Sequence, residues 1–426
     1  MLAFPKYESY QNSDISWIQE LPVTWKIERA KWLFEKMERP VRPEDDVVTA
    51  FRDGQVTLRK NRREEGFTNA IQEHGYQGIR KNDLVIHAMD AFAGAIGVSD
   101  SDGKSTPVYS VCVPRGEFYV NNYYYAYLIR YMAKSGFIQS LSKGIRERST
   151  DFRFNDFANL CLPIPSKEEQ DRIVEFLDRT TSDIDRAITQ KQRLIELLQE
   201  QKAILINQAV TKGLNLNVPM RDSSVEWLGK IPEHWQVRRA KYLFQEVDER
   251  STTGEEELLS VSHITGVTPR SEKNVNMFMA EDYSGSKLCH KDDLVINIMW
   301  AWMGALGVAN QTGIVSPSYG VFRQIKPDTF NSWYLESLLR SIEYVAQYNR
   351  ISTGLHSSRL RLYAHMFLSM EILFPPKEEQ DQIEAITIDR IREIDAAINA
   401  IDREIKTLEE LRSVLISEAV TGKIKV

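Results

Sequence analysis

The sequence predicts an α+β protein: two similar globular domains joined by two long helices that form an antiparallel coiled coil, with pseudo-two-fold symmetry. Three observations carry this. The chain of 426 residues repeats itself at a constant offset of 210, each repeat opens with short β-type runs broken by Gly, Pro, Asn and Asp, and each ends in a long stretch free of Gly and Pro. A period of this length is a duplicated domain, since solenoid units run to roughly 20–50 residues. The expected divisions are 1–165 (first globule), 166–216 (first long helix), 217–375 (second globule) and 376–426 (second long helix).

Each repeat starts with two tryptophans around a proline. Trp17, Pro22, Trp25, Arg29, Ala30, Lys31, Leu33 and Phe34 recur as Trp227, Pro232, Trp235, Arg239, Ala240, Lys241, Leu243 and Phe244. A packing corner explains such a pair, and ligand stacking is the alternative. Lys81, Asp83-Leu84-Val85-Ile86, Met89 and Gly94-Ala95 recur as Lys291, Asp293-Leu294-Val295-Ile296, Met299 and Gly304-Ala305. These apolar runs bounded by turn residues read as strands. Asn122 to Ala133 and Ser332 to Ala346 carry helical periodicity.

The long helices follow Pro165 and Pro375. Ser166 and Glu169 form a capping box at the first, and Pro376 replaces that serine in the second copy. Apolar residues then fall at heptad spacing: Val174, Ile188 and Ile195 beside Leu177, Ile184, Leu198 and Leu205, and later Ile391, Ile398 and Ile405 beside Ile394, Ile401, Leu408 and Leu415. This is a coiled-coil seam, the alternative being an amphipathic helix lying on a globule. About 45 residues at 1.5 Å each give a spacer of roughly 65 Å.

Composition limits the function. The net charge is −6 and the deficit lies in the second half, so contact with a polyanion requires local basic clusters. Three cysteines without Cys-x-x-Cys spacing fit a reducing compartment and argue against thiolate zinc sites. The start has no signal-peptide core, and the longest apolar stretch, Leu294 to Val308, is too short to span a bilayer. The expectation is a cytoplasmic protein that does not engage a membrane. No P-loop, nucleophile elbow, amino-methyltransferase motif or His-x-x-x-His pair is present, so neither catalysis nor a metal is expected.

The order of these motifs resembles the specificity subunits of Type I restriction–modification systems. The resemblance rests on Glu226-Trp227-Leu228-Gly229-Lys230-Ile231-Pro232-Glu233-His234-Trp235, on Pro375-Pro376-Lys377-Glu378-Glu379-Gln380 opening a helix, and on Glu418-Ala419-Val420-Thr421-Gly422-Lys423 closing it. It extends over the whole chain. It implies two target recognition domains that read the halves of a bipartite double-stranded DNA sequence, without catalysis by this chain. It also implies helices that space the half-sites and dock two modification (methyltransferase) subunits, to which restriction subunits add. S-adenosylmethionine would bind the methyltransferase partner and no cofactor this chain. The competing readings are a nuclease or modification enzyme with an unrecognised active site, and a scaffold that binds only proteins.

Where the repeats differ inside a matched frame, they are expected to read different bases. After the shared strand, Asp90 and Phe92 stand opposite Trp300 and Trp302. A carboxylate accepts from cytosine N4, whereas an indole packs or stacks; differing core residues are the alternative. The loop ahead of the last strand supplies further DNA-binding candidates. They are Lys143, Arg146, Arg148 and Arg153 in the first repeat, and Arg350, His356, Ser357, Ser358, Arg359 and Arg361 in the second. Arginine grips phosphate or pairs with guanine, and Ser and His donors reach base edges. A glycine in each loop, Gly144 or Gly354, is expected to free the backbone. A third basic run, Arg59 to Arg63, reads equally as a phosphate-contacting loop or as plain surface.

Overall fold

The computed structural model describes residues 4–13, 15–62, 74–141, 151–273, 282–354, 356 and 359–426. It divides into two compact units, residues 1–191 with 402–426, and residues 192–401. Each unit is therefore one globule plus parts of both long helices, which run Lys167–Lys212 and Lys377–Val420.

The globules share one topology. In the first, an antiparallel sheet is ordered Phe34–Lys36, Tyr109–Pro114, Leu84–His87, Ile96–Val98. In the second it is ordered Phe244–Glu246, Gly320–Gln324, Leu294–Ile296, Leu306–Val308. Two hairpin-like pairs flank each sheet: Val48–Ala50 with Val56–Leu58 and Gln77–Ile79 with Gly103–Ser105, then Leu259–Ser262 with Gly266–Pro269 and Lys287–Cys289 with Gly313–Val315. The repeated Asp-Leu-Val-Ile runs are the central strands, and Leu84, Val85, Leu294 and Val295 are completely buried. Asp83 and Asp293 start them by accepting from the backbone N–H of Arg80 (2.7 Å) and His290 (2.8 Å).

Packing decides the tryptophan motif. Trp25 and Trp235 are 2% and 1% exposed. Trp227 stands edge-on to Tyr344 at 4.9 Å, and Trp17 lies against Tyr131 and Phe137. These indoles are corners of the core, each burying area on the order of 150–250 Å².

The helix expected over Ser332 to Ala346 is two helices, Ser332–Leu339 and Ile342–Ile351. Ser341 adopts an extended ψ of 159°. Asn207, from the first long helix, accepts the Ile342 N–H at 3.1 Å, a tertiary cap that periodicity does not reveal. The helix over Asn122–Lys134 is continuous.

The long helices pack antiparallel. In the first unit Asp185 pairs with Arg412 at 3.0 Å and Lys191 pairs with Glu404, so one number rises as the other falls. In the second unit Asp395 pairs with Lys202 at 2.7 Å, the counterpart of Asp185–Arg412 at the 210 offset. Exposed pairs of this kind contribute about 0–1 kcal/mol each, so they fix register more than stability. Of the expected seam, Leu177, Ile184, Ile401 and Leu415 are buried.

Each core also takes the end of the long helix that begins in the other repeat. Ala419 and Val420 sit in the first core with Ile173 and Leu177, and Ala209 and Val210 sit in the second with Ile383. Tyr124 and Tyr334 donate their hydroxyls to the carbonyls of Val420 and Val210, both at 3.0 Å. The repeated Ala-Val-Thr motif is therefore a plug.

The Lys-Glu-Glu-Gln-Asp motif is the clamp at the other helix end. Gln170 is fully buried; it accepts the Asn121 N–H at 2.8 Å and donates to the carbonyls of Tyr119 (3.1 Å) and Pro165 (3.0 Å). Gln380 repeats this with Asn331 (2.9 Å), Thr329 (3.4 Å) and Pro375 (3.0 Å). The Ser166–Glu169 capping box is present, with bonds of 3.1 and 3.3 Å. Among the described residues no helix is long and apolar enough to cross a membrane.

Candidate nucleic-acid interface

In the first unit a cleft of about 890 Å³ opens beside the sheet. One wall is the Val48–Ala50 strand with the following loop, which carries Arg52 and Asp53. A second is the 3-10 turn Arg59–Asn61 with Arg62, and a third is the turn from His87 to Asp90. Arg52 pairs with Asp90 at 2.9 Å, and Arg62 pairs with Asp53 at 2.6 Å while lying 4.3 Å over the Phe51 ring. Three arginines against two carboxylates leave the cleft net cationic.

The floor is aromatic. His87 meets Tyr109 edge-on at 4.6 Å, and its Nδ1 accepts the Asp90 N–H at 3.0 Å. Burial holds the His87 pKa below its ordinary value, against the pull of Asp90. A neutral ring with Nδ1 already occupied keeps Nε2–H as a donor.

The second unit places other side chains at the matching positions. The Arg59 N–H is held by the Val47 carbonyl and the Arg270 N–H by the Leu258 carbonyl, both at 2.8 Å, so the two arginines occupy one backbone position. Lys273 bonds Ser260 at 3.0 Å, and Asn297 replaces His87 and donates to the Tyr319 hydroxyl at 3.2 Å. Trp300, 48% exposed, replaces Asp90 and stacks on Trp302 at 6.0 Å and 21°. One scaffold carrying different donors, acceptors and stacking faces at matching positions suits discrimination between different ligands of one kind.

A family model described as the Type I restriction modification DNA specificity domain matches residues 46–199, which contain the first cleft. The "Type I restriction enzyme MjaVIII specificity subunit" of Methanocaldococcus jannaschii is 25% identical over 69% of this chain and 68% of its own length. The "Putative type I restriction enzyme MjaX specificity subunit" of the same organism is 21% identical over 100% and 99%. Residues 46–199 thus match a Type I specificity domain, and the chain is similar over most of its length to Type I specificity subunits. Solved structures share the fold. A chain from work on complex assembly and conformational transition of the type I R-M system superposes with a TM-score of 0.65 at 18% identity, covering 95% of this chain and 99% of that one. The HsdS subunit from Thermoanaerobacter tengcongensis gives 0.56 at 16% identity, covering 95% and 98%.

The Phe152 N–H donates to the Ala88 carbonyl at 3.1 Å and the Leu362 N–H to the Ile298 carbonyl at 3.0 Å, so each glycine-containing loop leads into a segment tied beside the Asp90 or Trp300 turn. Phe92 lies half-buried in the 3-10 turn Ala91–Ala93. Arg153 is exposed and pairs with Asp151 at 2.7 Å beside Ala88 and Met89. Arg350 belongs to the helix Ile342–Ile351 rather than to the loop, and its Nε donates to Gln347 at 2.8 Å. His356 and Arg359 are exposed, while Arg361 is half-buried and donates to the Leu360 carbonyl at 2.9 Å. Lys143, Arg146, Arg148, Ser357 and Ser358, with Gly144, lie outside the described residues.

One expectation changes. Gly354 does not adopt a left-handed φ; a Cβ there would collide with the Arg359 carbonyl, so the glycine permits close backbone approach rather than freedom. Sequence reasoning also missed Arg52, Arg270 and Lys273. Arg270 stands 211 residues after Arg59, one beyond the repeat offset, because the strand pair Leu259–Ser262 with Gly266–Pro269 is shifted by one residue. Searching the repeat for a local slip would have found it. Among the described residues no group of three or more His, Cys, Asp or Glu side chains is placed to hold a metal.

Proposed function

We propose that this chain is the DNA-reading subunit of its restriction–modification system and catalyses no bond chemistry itself. Each unit presents its cleft and the adjoining loop to one half of a bipartite duplex target. The long helices set the gap between the half-sites and dock two modification subunits, which restriction subunits join. Base flipping and methyl transfer from S-adenosylmethionine occur on the modification subunits, in the cytoplasm. The observation that carries this is one scaffold repeated with changed side chains at matching positions, His87, Asp90 and Arg62 against Asn297, Trp300 and Lys273.

The test is to exchange residues 217–375 for the matching domain of a relative and sequence the host methylome. One half of the target is expected to change and the other to persist; simultaneous change of both halves would overturn the modular reading. The spacer role predicts a second outcome. Adding one heptad to each long helix is expected to lengthen the unspecified gap by about 10 Å, or roughly three base pairs, with both half-sites retained. An unchanged gap would show that the helices are not the ruler.

A further inference from the structure

The duplication supplies an internal control for one buried charge. In the second unit Arg340 is neutralised: Nη1 pairs with Glu336 at 2.8 Å, and Nη2 donates to the carbonyls of Ile264 (2.9 Å) and His263. In the helix that follows, Tyr344 is fully buried, and on the first long helix Lys202 is held by Asp395 at 2.7 Å. At the 210 offset the first unit has Ala126, Arg130, Lys134 and Arg412 instead of Glu336, Arg340, Tyr344 and Lys202. The carboxylate has gone and an extra cation has arrived.

Arg130, Lys134 and Arg412 line one cavity of about 310 Å³, with Glu409 and Ser413 also in its wall. The Nε atoms of Arg130 and Arg412 are buried without a hydrogen-bond partner. A buried, unsatisfied guanidinium N–H is costly unless something accepts from it. Arg130 packs on Gly54, where φ is +93° and a Cβ would collide with the guanidinium. Burial lowers the pKa of Arg130 and of Lys134, and Arg412 lowers both further, so the three charges repel in place. Exposed Glu409 stands in the wall itself, and the other nearby carboxylates are engaged. Asp185 takes Arg412 at 3.0 Å, Asp53 takes Arg62 at 2.6 Å, and Asp178 accepts the Tyr127 hydroxyl at 2.8 Å.

We propose that this cavity, formed by Arg130, Lys134 and Arg412 behind the Phe51–Gln55 loop, is a site for a phosphate-class oxyanion. The Arg130 guanidinium, the Arg412 Nε that Asp185 does not take, the Lys134 ammonium and the Ser413 hydroxyl offer donors to a tetrahedral dianion. The second unit needs no such ligand because Glu336 supplies the anion from within the chain. The assignment does not depend on the DNA reading of the clefts.

Inorganic phosphate is the probe. Against potassium chloride of equal ionic strength, phosphate is expected to raise the thermal midpoint of the full chain by about 2 °C or more, and its ³¹P resonance is expected to broaden with protein. Both effects should disappear in Arg130→Gln and weaken in Lys134→Gln. Lys134 is exposed enough that its variant keeps the test open if Arg130→Gln does not fold. The same rise and broadening in wild type and both variants would mean general exclusion of a kosmotropic ion and would overturn the site, as would no broadening with wild type. A DNA-binding arm separates the two sources of phosphate. If a backbone phosphate fills the cavity, phosphate competes with duplex and Arg130→Gln lowers the slope of log K against log salt by about 0.9. If free phosphate fills it, Arg130→Gln loses the ³¹P effect and leaves that slope unchanged.

Discussion

Replacing Gln170 by alanine is expected to lower the melting temperature of the first unit by roughly 5–10 °C, and Gln380→Ala to do the same to the second. Each amide accepts one backbone N–H and donates to two carbonyls in a fully buried setting. Truncation leaves those groups without partners, at about 1–3 kcal/mol for each buried group that finds no water. For a unit of this size, 1 kcal/mol corresponds to about 2–4 °C. The neighbouring Glu168 is exposed and serves as control; its alanine variant should lose only a few tenths of a kcal/mol of helix-dipole interaction. Calorimetry of the variants decides the matter. If Gln170→Ala melts with Glu168→Ala, the amide is not the clamp.

The second large effect is expected on DNA binding. Arg59→Ala with Arg62→Ala in the first cleft, and Arg270→Ala with Lys273→Ala in the second, should each weaken binding at the half-site of their own unit. Where the lost cation held a phosphate, the slope of log K against log salt falls by about 0.9 per contact and all sequences weaken alike. Where it paired with a base, the cost is about 1–3 kcal/mol and specificity relaxes at one position. Asp90→Ala sharpens the distinction, because Asp90 also tethers Arg52. Relaxation at a single base identifies direct reading by the carboxylate, whereas uniform weakening identifies it as the holder of the arginine. Titrations at several salt concentrations, on the target and on single-base variants, separate these outcomes. Wild-type behaviour in both double variants would place the DNA elsewhere.

Much of the architecture was legible because duplication doubles every signal. The central strands, the capping box at Ser166 and the long helices each follow from local chemistry written twice. What stayed hidden depends on contacts distant in sequence. The break at Ser341 is set by Asn207, and the pairing of Arg52 with Asp90 joins residues 38 apart across a cleft. The equivalence of Arg59 and Arg270 was concealed by a one-residue slip in register that a constant offset cannot follow. Asp90 and Trp300 stand out in the sequence because a matched frame exposes a difference. Their neighbours Arg52 and Lys273 carried no such mark.

The plug formed by Ala419 and Val420 bears on how the chain matures. The first core contains residues 15 to 177 together with 419 to 424, and the Lys425 N–H closes on the Pro5 carbonyl at 2.8 Å. A ribosome that has made the first core as far as Leu177 has still to reach Ala419, about 240 residues on, before that core is complete. The second globule has its plug, Ala209-Val210, already in hand when its own synthesis begins. Order of synthesis and order of completion are therefore reversed: the earlier globule waits, partly open, for the later one to be finished. Contacts so far apart in sequence are slow to form and expose apolar surface meanwhile. A chain stopped near residue 401 should accordingly keep a sound second unit and present an aggregation-prone first one.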